Sequence, residues 1–158
     1  MDENIENAAP TNFSIGVAGY PEKHFESPNM GTEIKRLKEK IDAGADYVVT
    51  QLFYDNKKFF DFVDACRAFG IDVPIIPGIK PIESMRHITF LPKFFNIDIP
   101  SALTDELDKC KSNEDVKIVG GEWAIQQSKE LIEYGAPCLH FYTMGKSKTV
   151  KQIAKAIF

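Results

Sequence analysis

The strongest constraint on this chain is a recurring pattern: a short apolar run ends in turn or polar residues and passes into an amphipathic helical stretch. Residues 14–22 read SIGVAGYPE and lead through His24 into TEIKRLKEKIDAGAD, while YVVTQLFYD places the polar pair Thr50 and Gln51 at the end of a second apolar run. With two later apolar runs, the expected strands are residues 13–18, 47–53, 73–79 and 138–142. None alternates strictly between polar and apolar residues, as expected for strands buried on both faces. Strands that alternate with helices imply an α/β fold with a parallel sheet and right-handed crossovers, either doubly wound or curved into a barrel. Polar residues at two strand ends point to one shared functional face at the C-terminal side of the sheet.

The helices fill the gaps. Ile34, Leu37 and Ile41 form one stripe, with Thr32 as the expected cap and Gly44 as the stop. Phe59, Phe62, Val63 and Cys66 form another, with Asp55 as N-cap and Gly70 at the close. Three further helices are expected over residues 83–94, 101–111 and 114–134, with Ser101 capping the second. Gly120-Gly121 lacks a preceding strand and any phosphate-loop pattern, so it reads as close packing at a helix. A closed barrel of eight βα units takes about 250 residues. Four strands therefore make half of such a TIM barrel, over residues 13–158, and the acidic segment 1–12 is expected to be a disordered or linker segment.

Charge and cysteine content exclude several classes. A net charge of −4, with no segment rich in Lys and Arg alone, argues against nucleic acid as a partner. Three separated cysteines, Cys66, Cys110 and Cys138, fit neither a disulfide framework nor a metal cluster and suit a reducing cytoplasm. No apolar run approaches the roughly 20 residues that span a bilayer.

Candidate chemistry concentrates between Gly19 and Lys40. Glu33, Arg36 and Lys40 share one helix face. Such a column reads either as a solvated surface or, joined to Tyr20 and His24 at the Pro-fixed turn, as a patch for an adenine and a diphosphate. Gln51 inside an apolar strand is either a satisfied core amide or a side chain aimed into a pocket to pair with a heterocycle. On the last strand His140 is expected to be buried and satisfied, and Lys146 lies just beyond, as a surface cation or as the partner of an anionic substrate. No Ser-His-Asp or Cys-His set is present, so no catalytic residue and no metal ligand is assigned.

The segments GVAGYPEKH, LKEKIDAGADYVVTQLFYD, VPIIPGIKPI, GGEWAIQQSKEL and LHFYTMGKS, in this order, resemble the methylenetetrahydrofolate reductase family from about Phe13 to the C-terminus. The resemblance covers the second half of the family's catalytic domain. It implies strands five to eight of a (β/α)8 barrel and a cytoplasmic FAD-dependent oxidoreductase of one-carbon metabolism and methionine synthesis, which reduces 5,10-methylenetetrahydrofolate to 5-methyltetrahydrofolate with NADH or NADPH. It further implies that Tyr20, His24, Glu33, Arg36 and Lys40 contact FAD, with Ala18 and Ser27 as backbone or small contacts, and that Gln51 binds the folate pterin. His87, Leu91 and Lys146 fall where some members carry Gln, Phe and Arg against the substrate. The family's catalytic glutamate in a Thr-Phe-Glu motif, and its Arg-Gly-Asp motif, have no counterpart in these 158 residues. The expectation is therefore a fragment that is inactive alone and whose exposed strand edges could pair with those of a second copy; the alternative is a non-catalytic nucleotide- or folate-binding or assembly module.

Overall fold

The computed structural model describes residues 11–158. Most of the expected 1–12 segment thus lies outside the described residues, and positions 11 and 12 are exposed without regular structure. Four strands, β1 (Gly16–Gly19), β2 (Tyr47–Leu52), β3 (Ile75–Ile79) and β4 (His140–Phe141), form one parallel sheet in the order β1-β2-β3-β4. Six helices accompany them: α1 (Met30–Asp42), α2 (Asn56–Ala68), α3 (Arg86–Phe95), α4 (Ser101–Leu107), α5 (Asn113–Tyr134) and α6 (Lys148–Ile157). The α/β parallel architecture agrees with the alternation in the sequence, and α6 is an element the sequence reading did not name.

Every strand is shorter than its apolar run. Residues 13–15 stay outside β1 because β2 begins only at Tyr47, opposite Gly16. The Asp46 carboxylate takes the Ile15 N–H instead, at 2.7 Å. Only His140 and Phe141 of the last run join the ladder.

The expectation of strands buried on both faces holds for β3, where only Ile76 is less than buried, but not for β1 or β2. Burial along β2 alternates, with Val48, Thr50 and Leu52 covered and Tyr47, Val49 and Gln51 half-exposed. Helices cover one face only. There Val48, Ile75 and Ile79 pack with Ile34 and Leu37 of α1, Phe59, Phe62 and Cys66 of α2, Leu131 of α5 and Ile153 of α6. Each large side chain buried in this layer contributes about 1.5–3 kcal/mol. A second cluster, built on Leu52, Tyr54, Ile82, Leu91, Leu103 and Leu107, seats α3 and α4 beyond the C-terminal ends of the strands.

Helix boundaries follow local chemistry. Asp55 caps α2 as expected, accepting from the Lys57 N–H at 2.9 Å. Thr32 does not cap α1. Asn29 does so, because its side-chain oxygen reaches the Thr32 N–H at 2.9 Å, and the helix therefore starts two residues before Thr32. Ser101 is likewise inside α4, where Pro100 takes the cap position with no side-chain bond. Ser112 and Asp115 form a reciprocal capping box at the start of α5. Gly44, Gly70 and Gly135 all have φ between +75° and +109°, the left-handed geometry that stops a helix.

Two contacts position the working end of the sheet. Gly120 of α5 lies against the segment after β3, where a Cβ would run into the Ile82 carbonyl, whereas a Cβ on Gly121 would meet only the Thr149 methyl at 3.8 Å. Glu22, in the β1–α1 connection, accepts the Asp98 N–H at 3.0 Å and lies 4.0 Å from Lys58 Nζ, which ties this connection to the one between α3 and α4 and to the start of α2. Its other carboxylate oxygen is buried without a partner. Burial first, and then the Asp98 charge, push the carboxyl up to about 7, against the opposing pull of the Asp98 N–H and Lys58.

Gly120→Ala is expected to destabilise the protein by about 1–3 kcal/mol through overpacking, while Gly121→Ala should be neutral or stabilising by up to about 1 kcal/mol through helix propensity; urea midpoints for the pair decide this. For Glu22, the unfolded carboxyl titrates near about 4.3, so the folded state retains a proton that the unfolded chain has lost. Stability falls as pH rises from there through about 7. Glu22→Gln should melt above the parent at pH 8 and together with it near pH 4.5; equal melting temperatures at pH 8 would refute the assignment.

Candidate active site

The open face of the sheet and the C-terminal ends of its strands carry three adjoining sets of side chains. The first surrounds the β1–α1 connection. Lys23 stands there at φ 60°, closing a turn through its N–H to the Tyr20 carbonyl at 3.0 Å. That turn brings the His24 ring edge-on to Tyr20, with centroids 4.8 Å apart. Glu33 of α1 is buried, 3% exposed, and accepts from the His24 N–H at 3.1 Å and the Ser27 hydroxyl at 2.6 Å. Arg36 Nη1 donates to Ser27 Oγ at 3.1 Å, and Lys40 Nζ to the Ala18 carbonyl at 3.3 Å.

The helix face read from sequence is therefore neither wholly solvated nor wholly a ligand surface. Its first member holds the loop from below, and Arg36 and Lys40 remain exposed. Tyr20, His24, Ser27, Glu33, Arg36 and Lys40 all line one cavity of about 220 Å³, with Ala18 at its edge through its carbonyl. Burial, followed by the Glu33 charge, raises the Tyr20 hydroxyl above its usual range, so the ring stands there as a neutral phenol.

The second set centres on Gln51. Between Val49 and Leu52 the β2–β3 register shifts, so Thr50 and Gln51 face Pro77 alone. Such a bulge re-aims a side chain at a strand end. Thr50 turns its hydroxyl to the Gly78 N–H at 2.9 Å, and the Thr50 carbonyl accepts from the Tyr142 hydroxyl at 2.9 Å. Gly78 must be glycine here, since a Cβ would clash with the Thr50 carbonyl oxygen and the Tyr142 ring. Gln51 is half-exposed, and its Oε1 accepts the Leu52 N–H at 3.0 Å. It is thus satisfied on one side by its own backbone and open on the other, which combines the two readings of the sequence. Trp123 and Gln127 of α5 brace the following residues, donating to the carbonyls of Tyr54 at 3.0 Å and Phe53 at 2.9 Å.

The third set lies between β3, β4 and α3. A cavity of about 370 Å³ is walled by Leu52, Leu91, Phe90, Phe94 and Tyr142, with Lys80, His87 and Lys146 also lining it. His87 Nδ1 accepts the Glu83 N–H at 3.2 Å, and burial followed by nearby Lys80 lowers its pKa. Tyr142 is raised by burial and then by Tyr20, which links this cavity to the first. His140 corrects the expectation of a buried histidine. It is exposed, because β4 ends the sheet and no strand or helix covers that face, and it stacks edge-on with Tyr142 at 4.7 Å.

Lys80 and Glu22 were missed in the sequence. A lysine inside VPIIPGIKPI and a glutamate after Gly-Tyr-Pro, both within otherwise apolar or turn segments, are the signals that mark them. No group of three His, Cys, Asp or Glu residues able to hold a metal occurs among the described residues. Nor is any described helix long and apolar enough to cross a membrane.

The sequence model of the family described as methylenetetrahydrofolate reductase matches residues 3–157. A probable methylenetetrahydrofolate reductase (NADPH) of Caenorhabditis elegans is 40% identical over 147 residues, covering 92% of this chain and 22% of that protein. Methylenetetrahydrofolate reductase 1 of Schizosaccharomyces pombe is 41% identical over 146 residues, covering 92% of this chain and 24% of its own length. The 5,10-methylenetetrahydrofolate reductase of Pectobacterium carotovorum is 36% identical, covering 86% of this chain and 46% of its own. The chain thus spans about a quarter of the length of these eukaryotic relatives and under half of the bacterial one. An uncharacterized protein from Clostridium thermocellum that binds two copies of 5-methyl-5,6,7,8-tetrahydrofolic acid shares the fold, with a TM-score of 0.58 and 24% identity over 91% of this chain and 52% of that one. With nearly its whole length matched, and with the strand-end residues brought to one face, the chain belongs to the methylenetetrahydrofolate reductase family.

Proposed function

We propose that this chain supplies the FAD-contacting and folate-contacting half of a barrel that reduces 5,10-methylenetetrahydrofolate to 5-methyltetrahydrofolate at the expense of NADH or NADPH. One observation carries the reading: Tyr20, His24, Ser27, Glu33, Arg36 and Lys40, separated by up to 20 positions in sequence, converge on one cavity. That cavity lies on the strand next to the one that bears Gln51.

The donor set fits a flavin dinucleotide. Arg36 and Lys40 stand about one helical turn apart with N–H donors to spare, since Ser27 Oγ and the Ala18 carbonyl each take one. Two such cations suit a diphosphate, for which charge-assisted hydrogen bonds are the strong ones. Tyr20, neutral and partly buried, offers an aromatic face. Bound FAD would carry an electron pair from the nicotinamide to the folate. The chain's own residues orient the reactants: Gln51 keeps its amide donors open and retains a second lone pair on Oε1 beyond the one given to Leu52 N–H. This suits the mixed donor and acceptor edge of a pterin. The apolar cavity beside it takes the rest of the folate, with His87, Leu91 and Lys146 on its walls.

The Clostridium thermocellum protein binds two copies of 5-methyl-5,6,7,8-tetrahydrofolic acid; the same ligand class is proposed for this chain on the strength of Gln51 and the adjoining cavity. The acid that would protonate the folate is proposed to come from outside these residues, because no Thr-Phe-Glu motif occurs in them.

Titration of the purified chain with FAD, followed by flavin fluorescence, should saturate, and Lys40→Ala should weaken binding by about tenfold or more, the usual cost of a lost charge-assisted bond. Undiminished affinity in that variant would remove the diphosphate role. The same preparation should bind 5-methyltetrahydrofolate, more weakly after Gln51→Glu, without turning over NADH or NADPH in the presence of methylenetetrahydrofolate; measurable turnover would show that the missing acid has a substitute here.

A further inference from the structure

Lys80 directly follows β3 and is 6% exposed, the one buried lysine among the described residues. No described residue hydrogen-bonds or ion-pairs with its ammonium, which is not among the buried unpartnered atoms and so opens into the 370 Å³ cavity that the residue lines. Holding the stem of a lysine in the core while its ammonium has no protein partner costs more than an apolar residue would, and its chain neighbours, Ile79 and Pro81, offer it none. The acid on its own segment, Glu83, accepts the Thr149 hydroxyl at 2.6 Å through Oε1 and forms no ion pair with Lys80. Burial lowers the Lys80 pKa, Glu83 opposes this, and Lys146 adds to the lowering, so two cations line the cavity with one carboxylate. His87 stands beside them with its Nδ1 fixed by the Glu83 N–H.

The remaining walls are apolar and aromatic. Leu52, Leu91 and the stacked pair Phe90 and Phe94, with centroids 5.2 Å apart, complete a slot that is greasy along its length and cationic at its end. Its chemical complement is an aryl group that ends in carboxylates. We propose that Lys80 is a specificity-determining residue that pairs with a carboxylate of the folate's glutamate tail, acting with Lys146 at the cationic end of the cavity. The inference rests on the folate reading and adds to it a residue that neither the strand pattern nor the family resemblance assigned.

The test uses the purified chain with two ligands of equal shape, 5-methyltetrahydrofolate and its glutamate dimethyl ester, by calorimetric titration. Lys80→Met should weaken the free acid by about tenfold or more and leave the diester unchanged, Lys80→Arg should restore the free acid, and Lys80→Met should melt no lower than the parent. Should Lys80→Met fail to fold, Lys80→Gln keeps the length and removes the charge, and the same comparison is read on it. Equal losses for both ligands, or no loss for either, would overturn the role of Lys80 and leave the folate reading standing. If the unaltered chain binds neither ligand, the folate reading falls and the inference with it.

Discussion

The site depends on the one-sided burial of β1 and β2 within a four-stranded parallel sheet. Val48, Ile75 and Ile79 go down into the helical layer, and the alternation of a strand then turns Tyr47, Val49 and Gln51 the other way. The opposite face is less covered along β1 and β2, so polar groups at their strand ends cost little to display. Ala18, Gln51 and His140 reach that open side from three different strands without disturbing the core.

Precision on the open side comes from backbone chemistry. The bulge in β2 is held by three hydrogen bonds, from Gly78 N–H, Tyr142 hydroxyl and Leu52 N–H, each reaching Thr50 or Gln51. Removing the Cβ at position 78 allows β3 and Tyr142 to approach the Thr50 carbonyl closely enough for this. On the neighbouring strand a buried carboxylate plays the matching part. Glu33 receives the His24 N–H and Ser27 hydroxyl, so the connection between β1 and α1 hangs from the helix it introduces. In both places a satisfied group below the surface fixes the attitude of an exposed one above it.

Much of this was legible in the sequence. Four apolar runs separated by helical stripes announced a parallel α/β sheet, and the spacing of Glu33, Arg36 and Lys40 placed them on one side of α1. What escaped the reading has physical causes. Strand ends are set by partners: residues 13–15 are as apolar as a strand requires, but β2 offers them nothing to pair with beyond Tyr47. Caps are set by reach, and Asn29 competes with Thr32 for the same N–H, a contest that residue type alone leaves open. Burial of both sheet faces was inferred from apolar composition, yet composition cannot say which face finds a cover. Lys80 and Glu22 were passed over because each sits beside a proline, one just past an apolar strand and the other in a turn, and their surroundings come from distant segments, α3 for Lys80 and the connection at Asp98 for Glu22.

The brace on β2 has an optical consequence. Trp123 is the chain's single tryptophan, and its indole N–H is bonded to the Tyr54 carbonyl, three residues beyond Gln51. Indole emission responds to the polarity and hydrogen bonding around that nitrogen, so the intrinsic fluorescence of the whole protein originates next to the strand end that carries the amide. Any rearrangement that draws Gln51 and its successors toward a ligand is transmitted to one chromophore with no competing signal from another tryptophan, and the molecule carries its own label for the event.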